Sequence, residues 1–227
     1  MSLSLWLFGV VLGMRHALEP DHLAAVSTLV AERRRAGSGA VLGGLWGLGH
    51  TLALLLVAAA LGAAGAAMPA RLAVAFELCV AFMLIFIGAR SLLLARRERR
   101  RLATDARHTH AVGSPAQGHA LPHVSGRWRF ARRSLAVGLV HGLAGSGALT
   151  ALVASQLPSA PGRVAYVMLF GFGSIVGMTI LSGIAGWPLS RLGRNPAVSR
   201  ALMIVTGAFA CGLGVVWGVP LVRALLS

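Results

Sequence analysis

Six apolar runs, each long enough to cross a bilayer, constrain this chain more than any other feature. They cover approximately Leu3 to Ala31, Gly39 to Ala67, Leu72 to Ala95, Ser134 to Leu157, Val164 to Leu189 and Val198 to Leu226. A helix rises about 1.5 Å per residue, so about 20 apolar residues span the hydrocarbon layer. Only 12% of the residues are charged, against about 25% in a soluble domain. With so little polar surface, a water-soluble globule and a disordered chain are both disfavoured. The expected fold is all-α, a polytopic membrane protein with six transmembrane helices.

The first run departs from a plain crossing. It is longer than it needs to be, and Arg15-His16-Ala17-Leu18-Glu19-Pro20-Asp21-His22 interrupts it. Pro20 has no N–H to donate and clashes with the turn before it, so the spacing predicts a broken or re-entrant first helix that opens near Pro20.

The formal charge of +15 comes from 21 basic residues, all arginine, against six acids. In a soluble chain such a balance suggests nucleic acid. Here all but Arg15 and Arg90 lie in the connections. Sixteen fall on one alternate set of loops: Arg33 to Arg35, ten positions between Arg96 and Arg133, and Arg191, Arg194 and Arg200. The opposite set holds Arg71, Arg163 and Arg223. The positive-inside rule makes the arginine-rich face cytoplasmic and puts both termini outside a plasma (inner) membrane. The expected partners are therefore the lipid bilayer and not nucleic acid.

The chain divides into a first transmembrane half, residues 1–95, a basic cytoplasmic loop read as mobile, 96–133, and a second half, 134–227. The halves resemble each other. Gly13, His16 and Leu18 align with Gly138, His141 and Leu143 at an offset of 125, and Gly43, Gly49 and Thr51 align with Gly171, Gly177 and Thr179 at 128. Three crossings per half would insert the second copy upside down, a 3+3 inverted repeat of the kind that secondary transporters build around a midplane site.

Ionisable groups at membrane depth cost about 2.5–3.5 kcal/mol each on insertion scales, so the cluster from Arg15 to His22 requires a reason. On an unbroken helix Asp21 and His22 would point about 140° and 120° away from His16, in opposite senses. A break at Pro20 lets His16, Asp21 and His22 converge, and imidazoles with a carboxylate suit nickel, cobalt or zinc. The alternative is an extracellular entrance with Arg15 paired to Glu19 one turn on. His50, among small residues in Gly47-Leu48-Gly49-His50-Thr51, and His141, the repeat counterpart of His16, are the next candidates. Each is either a ligand or a histidine making one interhelical hydrogen bond. Glu19, Glu77, Thr51 and Ser146 are secondary candidates. Glu77 is read as a proton relay, a counter-charge or a neutral buried carboxyl. Met178, aligned with His50, is read as packing. His108, His110, His119 and His123 form either a loose metal-holding tract or part of a solvated basic loop that touches anionic lipid.

The run Arg15-His16-Ala17-Leu18-Glu19-Pro20-Asp21-His22-Leu23 resembles the signature of the nickel/cobalt permeases, and Leu48-Gly49-His50-Thr51 resembles their second signature. The likeness is nearest to the shorter, UreH-like urease-accessory branch, to which Gly142 to Ala148 also looks similar. Glu19-Pro20 stands where the high-affinity permeases have Asp-Ala, and six crossings stand where those permeases have eight. The resemblance implies a nickel or cobalt transporter with His16, Asp21, His22 and His50 as metal-handling residues. It implies no prosthetic group, with Ni2+ or Co2+ as transported substrate and a cytoplasmic metallochaperone as a candidate partner.

Uptake is favoured over efflux, which related proteins with a histidine-rich cytoplasmic loop perform. A membrane sensor or accessory protein that binds metal without moving it is the other alternative. An enzyme is not expected. An intramembrane serine protease using Ser146 would need a histidine base on a later helix, and no histidine follows His141. No HExxH motif is present. Cys79 and Cys211 lie far apart in apolar runs, which suits buried small residues rather than a thiol carrier. The N-terminus lacks a basic n-region and a cleavage site and is read as mature.

Overall fold

A computed structural model of the chain describes residues 3–31, 38–65, 68–108, 124–143, 159–192 and 195–226. These residues form seven helices: α1 (Leu3–His16), α2 (Pro20–Ala31), α3 (Ser38–Ala64), α4 (Ala70–His108), α5 (Val124–Gly142), α6 (Ala160–Leu192) and α7 (Pro196–Leu226). The class is all-α, as expected.

The first apolar run is two helices. The N–H groups of Leu18 and Glu19 reach back only three residues, to the Arg15 and His16 carbonyls at 2.9 and 3.0 Å. This tight last turn ends α1. Pro20 then takes the first position of α2, where its missing N–H costs nothing, and the Glu19 carbonyl accepts from the Leu23 N–H at 3.0 Å. The same device starts α7, where Asn195 Oδ1 accepts from the Ala197 N–H at 2.9 Å just ahead of Pro196. At the other end of α3, Gly65 adopts a left-handed φ of 58°, a helix stop that a side chain would strain.

Four helices are long and apolar enough to cross a membrane, over Gly39–Ala64, Ala70–Arg100, Pro161–Pro188 and Pro196–Leu226. The other two expected crossings do not appear as single helices of that kind. α1 and α2 have 14 and 12 residues. α5 begins with Arg127, Arg129, Arg132 and Arg133, and the apolar continuation expected after Leu143 falls at 144–158, outside the described residues.

The expected loop 96–133 needs correction at both ends. Residues 96–108 continue α4 and 124–133 open α5. Arginine and alanine are strong helix formers, so the helices persist after the apolar composition ends.

Packing is inverted relative to a water-soluble protein. Only 28–44% of the most apolar stretch of each spanning helix is buried, and Leu56, Phe82, Phe86, Ile184, Val205 and Val216 are more than half exposed. The interior is rich in hydroxyls and imidazoles. Thr28, Thr51, Ser91, Ser134, Ser174, Ser182 and Ser199 are all buried. Ser91 Oγ donates to the Met203 carbonyl at 3.1 Å and joins α4 to α7. Thr51 Oγ1 lies 2.8 Å from the Gly47 carbonyl and 3.1 Å from that of Gly171, against α6. Hydroxyl contacts of this sort hold helices together where lipid supplies no hydrophobic drive. α3 is central: it packs on α5 and α6, α1 packs on α6, and α4 pairs with α7.

Candidate metal centre

The break between α1 and α2 creates the centre. His16 is the last residue of α1, and Asp21 and His22 lie in the first turn of α2. The gap turns all three inward, His16 and His22 meeting with ring centroids 4.2 Å apart. His50 arrives from the middle of α3, stacked near His16 at 4.9 Å. His141 arrives from the last turn of α5, 3.9 Å from the His22 ring. All five side chains are buried, from 0% exposed for His22 and His50 to 6% for Asp21.

Asp21 sits where the N-terminal partial charge of α2 favours an anion. Its Oδ1 accepts from the His22 backbone N–H at 2.9 Å and lies 3.2 Å from His22 Nδ1. Its Oδ2 accepts from His141 Nε2 at 2.7 Å. Among the other nitrogens, His22 Nε2, His141 Nδ1 and both of His16 and His50 are buried without a hydrogen bond. Glu19 Oε1 is 2.9 Å from His16 Nδ1, an ion-pair distance without hydrogen-bond alignment. Glu19 thus turns to His16, and no Arg15–Glu19 pair occurs among the described residues. Buried polar groups are normally satisfied, so several clustered imidazole nitrogens without hydrogen bonds could together hold a cation.

Two sets of three groups have ligand atoms within 4.8 Å of one another: His16, His22 and His50, and Asp21, His22 and His141. The five primary residues picked from the sequence therefore come together. The secondary ones do not join them equally. Thr51 turns to the Gly47 carbonyl of its own helix and the Gly171 carbonyl of α6, and Ser146 and the histidines at 110, 119 and 123 lie outside the described residues. Glu77 of α4 is part of a neighbouring pocket of about 350 Å³, whose other walls include His16, Glu19, Asp21, His141, Trp217 and Pro220. Proline at 220 cannot donate to the Val216 carbonyl one turn back, and Val216 also lines the pocket.

Sequence reasoning missed Trp46. Its ring lies nearly parallel to His22, 5.3 Å away at 7°, and edge-on to His141 at 5.5 Å. It precedes His50 by four residues, one turn on the same helix face, and that spacing was the available signal.

An all-helical membrane protein with its apolar side chains outward and a nest of imidazoles inside is a solute-handling membrane protein rather than a soluble binding module. The family model described as high-affinity nickel-transport protein, NicO, matches residues 2–192, and the chain belongs to this family of transport proteins, which are not enzymes. It is similar to the urease accessory protein UreH of Bacillus sp. (strain TB-90), with 29% identity over 94% of this chain and 90% of the relative. It is also similar to the chloroplast protein FOR GROWTH AND FERTILITY 1 of Arabidopsis thaliana, with 27% identity over 91% of this chain and 56% of that longer protein. No solved structure matches.

Proposed function

We propose that this protein carries Ni2+ inward across the plasma membrane through the centre formed by His16, Asp21, His22, His50 and His141, with Co2+ as a competing substrate. The observation that carries this reading is the group of buried imidazoles with unpartnered nitrogens beside one carboxylate. Imidazole and carboxylate together suit divalent first-row ions, and nickel is the substrate named for the family.

The path takes six crossings in a 3+3 inverted repeat. α1 with α2 makes the first, and α5 belongs to the fourth. Contacts between helices support the repeat. A Cβ on Gly13 of α1 would meet the α6 backbone at Phe170 and Ser174, and a Cβ on its counterpart Gly138 of α5 would meet α3 at Trp46. Trp46 corresponds to Ser174 at the offset of 128. Likewise Gly49 approaches Leu139, while its counterpart Gly177 approaches Met14, which corresponds to Leu139 at the offset of 125. A pseudo-twofold axis that exchanges α1 with α5 and α3 with α6 accounts for both pairs.

The arginine distribution supports a cytoplasmic face at 96–133 with both termini outside. Glu77 lies near the start of α4 and Pro220 near the end of α7, so the pocket beside the centre faces the outer side. An ion arriving from outside would reach Asp21 and His141 through it, and the basic cytoplasmic segment is where a metallochaperone would collect it.

The test is nickel accumulation by vesicles reconstituted with the pure protein. Accumulation that His16→Ala and Asp21→Ala abolish, at equal protein incorporation, is the expected result. Vesicles that bind nickel without accumulating it would favour the sensor or accessory alternative. Net loss of nickel from loaded vesicles along the inside-to-outside direction would reverse the assignment to efflux.

A further inference from the structure

The centre holds five candidate ligands, and they are not equivalent. We infer that the transported ion is held by His16, His22 and His50, and that Asp21 is a positioning residue that aims His22 at the ion instead of binding it. This inference rests on the metal-transport reading above and divides its centre into two layers.

Both oxygens of Asp21 are engaged. Oδ1 is engaged by the His22 N–H and Nδ1 at 2.9 and 3.2 Å, and Oδ2 by His141 Nε2 at 2.7 Å. A carboxylate accepts and does not donate, so the protons of these contacts sit on His22 Nδ1 and His141 Nε2. A neutral imidazole with its proton on Nδ1 carries its lone pair on Nε2. His22 Nε2 is that atom, and it is fully buried without a hydrogen bond. Carboxylate, imidazole and metal in a row is the usual way a protein fixes the tautomer and orientation of a histidine ligand.

His16, His22 and His50 each offer one ring nitrogen within 4.8 Å of the others', and neither nitrogen of His50 makes a hydrogen bond. Nitrogens bound tetrahedrally at about 2.0–2.1 Å from a metal lie about 3.4 Å apart. Closing from the observed spacing takes a movement on the order of an ångström, within the reach of side-chain rotation. The ring of His22 meanwhile lies flat against Trp46, which limits its swing.

Both Asp21 oxygens already accept from imidazole N–H groups, whereas His22 Nε2 has no hydrogen bond, so the nitrogen is the donor left open to an ion. Left in place, the carboxylate lends a negative charge one hydrogen bond away from the ion, where a dication at membrane depth most needs it. Three imidazoles also leave coordination positions open, through which an ion in transit can exchange ligands. An all-nitrogen set favours nickel, cobalt and zinc over the hard ions magnesium and calcium.

Visible absorption of Co2+ bound to the full-length protein in detergent tests this division, because the bands report the donor atoms. The wild type should bind one Co2+. Asp21→Asn should weaken binding about tenfold to a hundredfold, the range for losing an outer-shell partner, with the band positions unchanged. His141→Ala, which removes the other contact of that carboxylate, should behave in the same way. His16→Gln and His50→Gln should shift the bands and weaken binding by more than about a hundredfold. Gel filtration of each variant identifies any that fails to fold, and either Asp21→Asn or His141→Ala suffices for the comparison. Bands displaced in Asp21→Asn as far as in His16→Gln would overturn the division while leaving the transport reading intact. A wild type that binds no Co2+ or Ni2+ would overturn the transport reading as well.

Discussion

Asp21 and His141, 120 positions apart in the chain, meet at 2.7 Å between Oδ2 and Nε2 with both side chains buried. This contact ties the start of α2 to the end of α5, and so ties the two halves of the protein at the centre. Removing the imidazole leaves a buried carboxylate oxygen without its donor, which costs about 1–3 kcal/mol or more for a charged group. His141→Ala should therefore lower the thermal unfolding midpoint of the metal-free protein in detergent. His141→Gln, whose amide can still donate, should recover part of the loss. Equal midpoints for the wild type and His141→Ala would show that the contact contributes nothing to stability.

The break at Pro20 is a second point where one residue has a large effect. Proline in a helix interior is less favourable than alanine by about 3 kcal/mol, equivalent to more than a hundredfold in population. Pro20→Ala restores an N–H that can reach the His16 carbonyl, and so favours a continuous helix from α1 into α2. Such a helix turns Asp21 and His22 away from His16. The variant should reach the membrane in normal amounts yet lose most nickel uptake. Undiminished uptake would mean that the gap is held open by the surrounding helices and not by the proline.

Much of this was legible in the sequence because it depends on local rules. Apolar length located the four spanning helices, and the chemistry of proline placed the break between His16 and Pro20. Depth in an apolar run singled out His16, Asp21, His22, His50 and His141. What escaped depends on contacts between distant segments. Nothing local says that both oxygens of Asp21 are engaged, or that Trp46 lies flat against His22. The end of α4 was misjudged for a different reason. Polarity was read as loop, although arginine and alanine carry a helix past the membrane edge to His108.

The proposed repeat predicts equal sensitivity at two sites that share no contact. Gly13 and Gly138 each lie against the backbone of a neighbouring helix, α6 and α3 respectively, with no room for a Cβ. Overpacking at such a contact costs about 1–3 kcal/mol or more, and here it would also move the helix that carries His16 or His141. Gly13→Val and Gly138→Val should lower thermal stability and nickel uptake to a similar degree. Gly212, whose Cβ would meet nothing within 4 Å, is the control, and Gly212→Val should be tolerated. A severe loss at one of the first two positions with none at the other would argue against equivalent roles for α1 and α5.

Glu77 stands apart from the imidazoles but lines the pocket that leads to them. It makes no hydrogen bond or ion pair among the described residues, so its charge is available to a cation in the pocket. At a separation on the order of 10 Å in water, a carboxylate and a dication attract by about 0.8 kcal/mol. That corresponds to a concentration effect of about fourfold. Glu77→Gln should therefore raise the nickel concentration for half-maximal uptake by about that factor and leave the maximal rate unchanged. Salt screens charges beyond about 10 Å at 0.1 M and about 3 Å at 1 M, so the difference between wild type and variant should shrink as ionic strength rises. Initial uptake rates at several nickel and salt concentrations measure both effects. A fall in maximal rate that persists in high salt would instead place Glu77 in a later step, inside the centre itself.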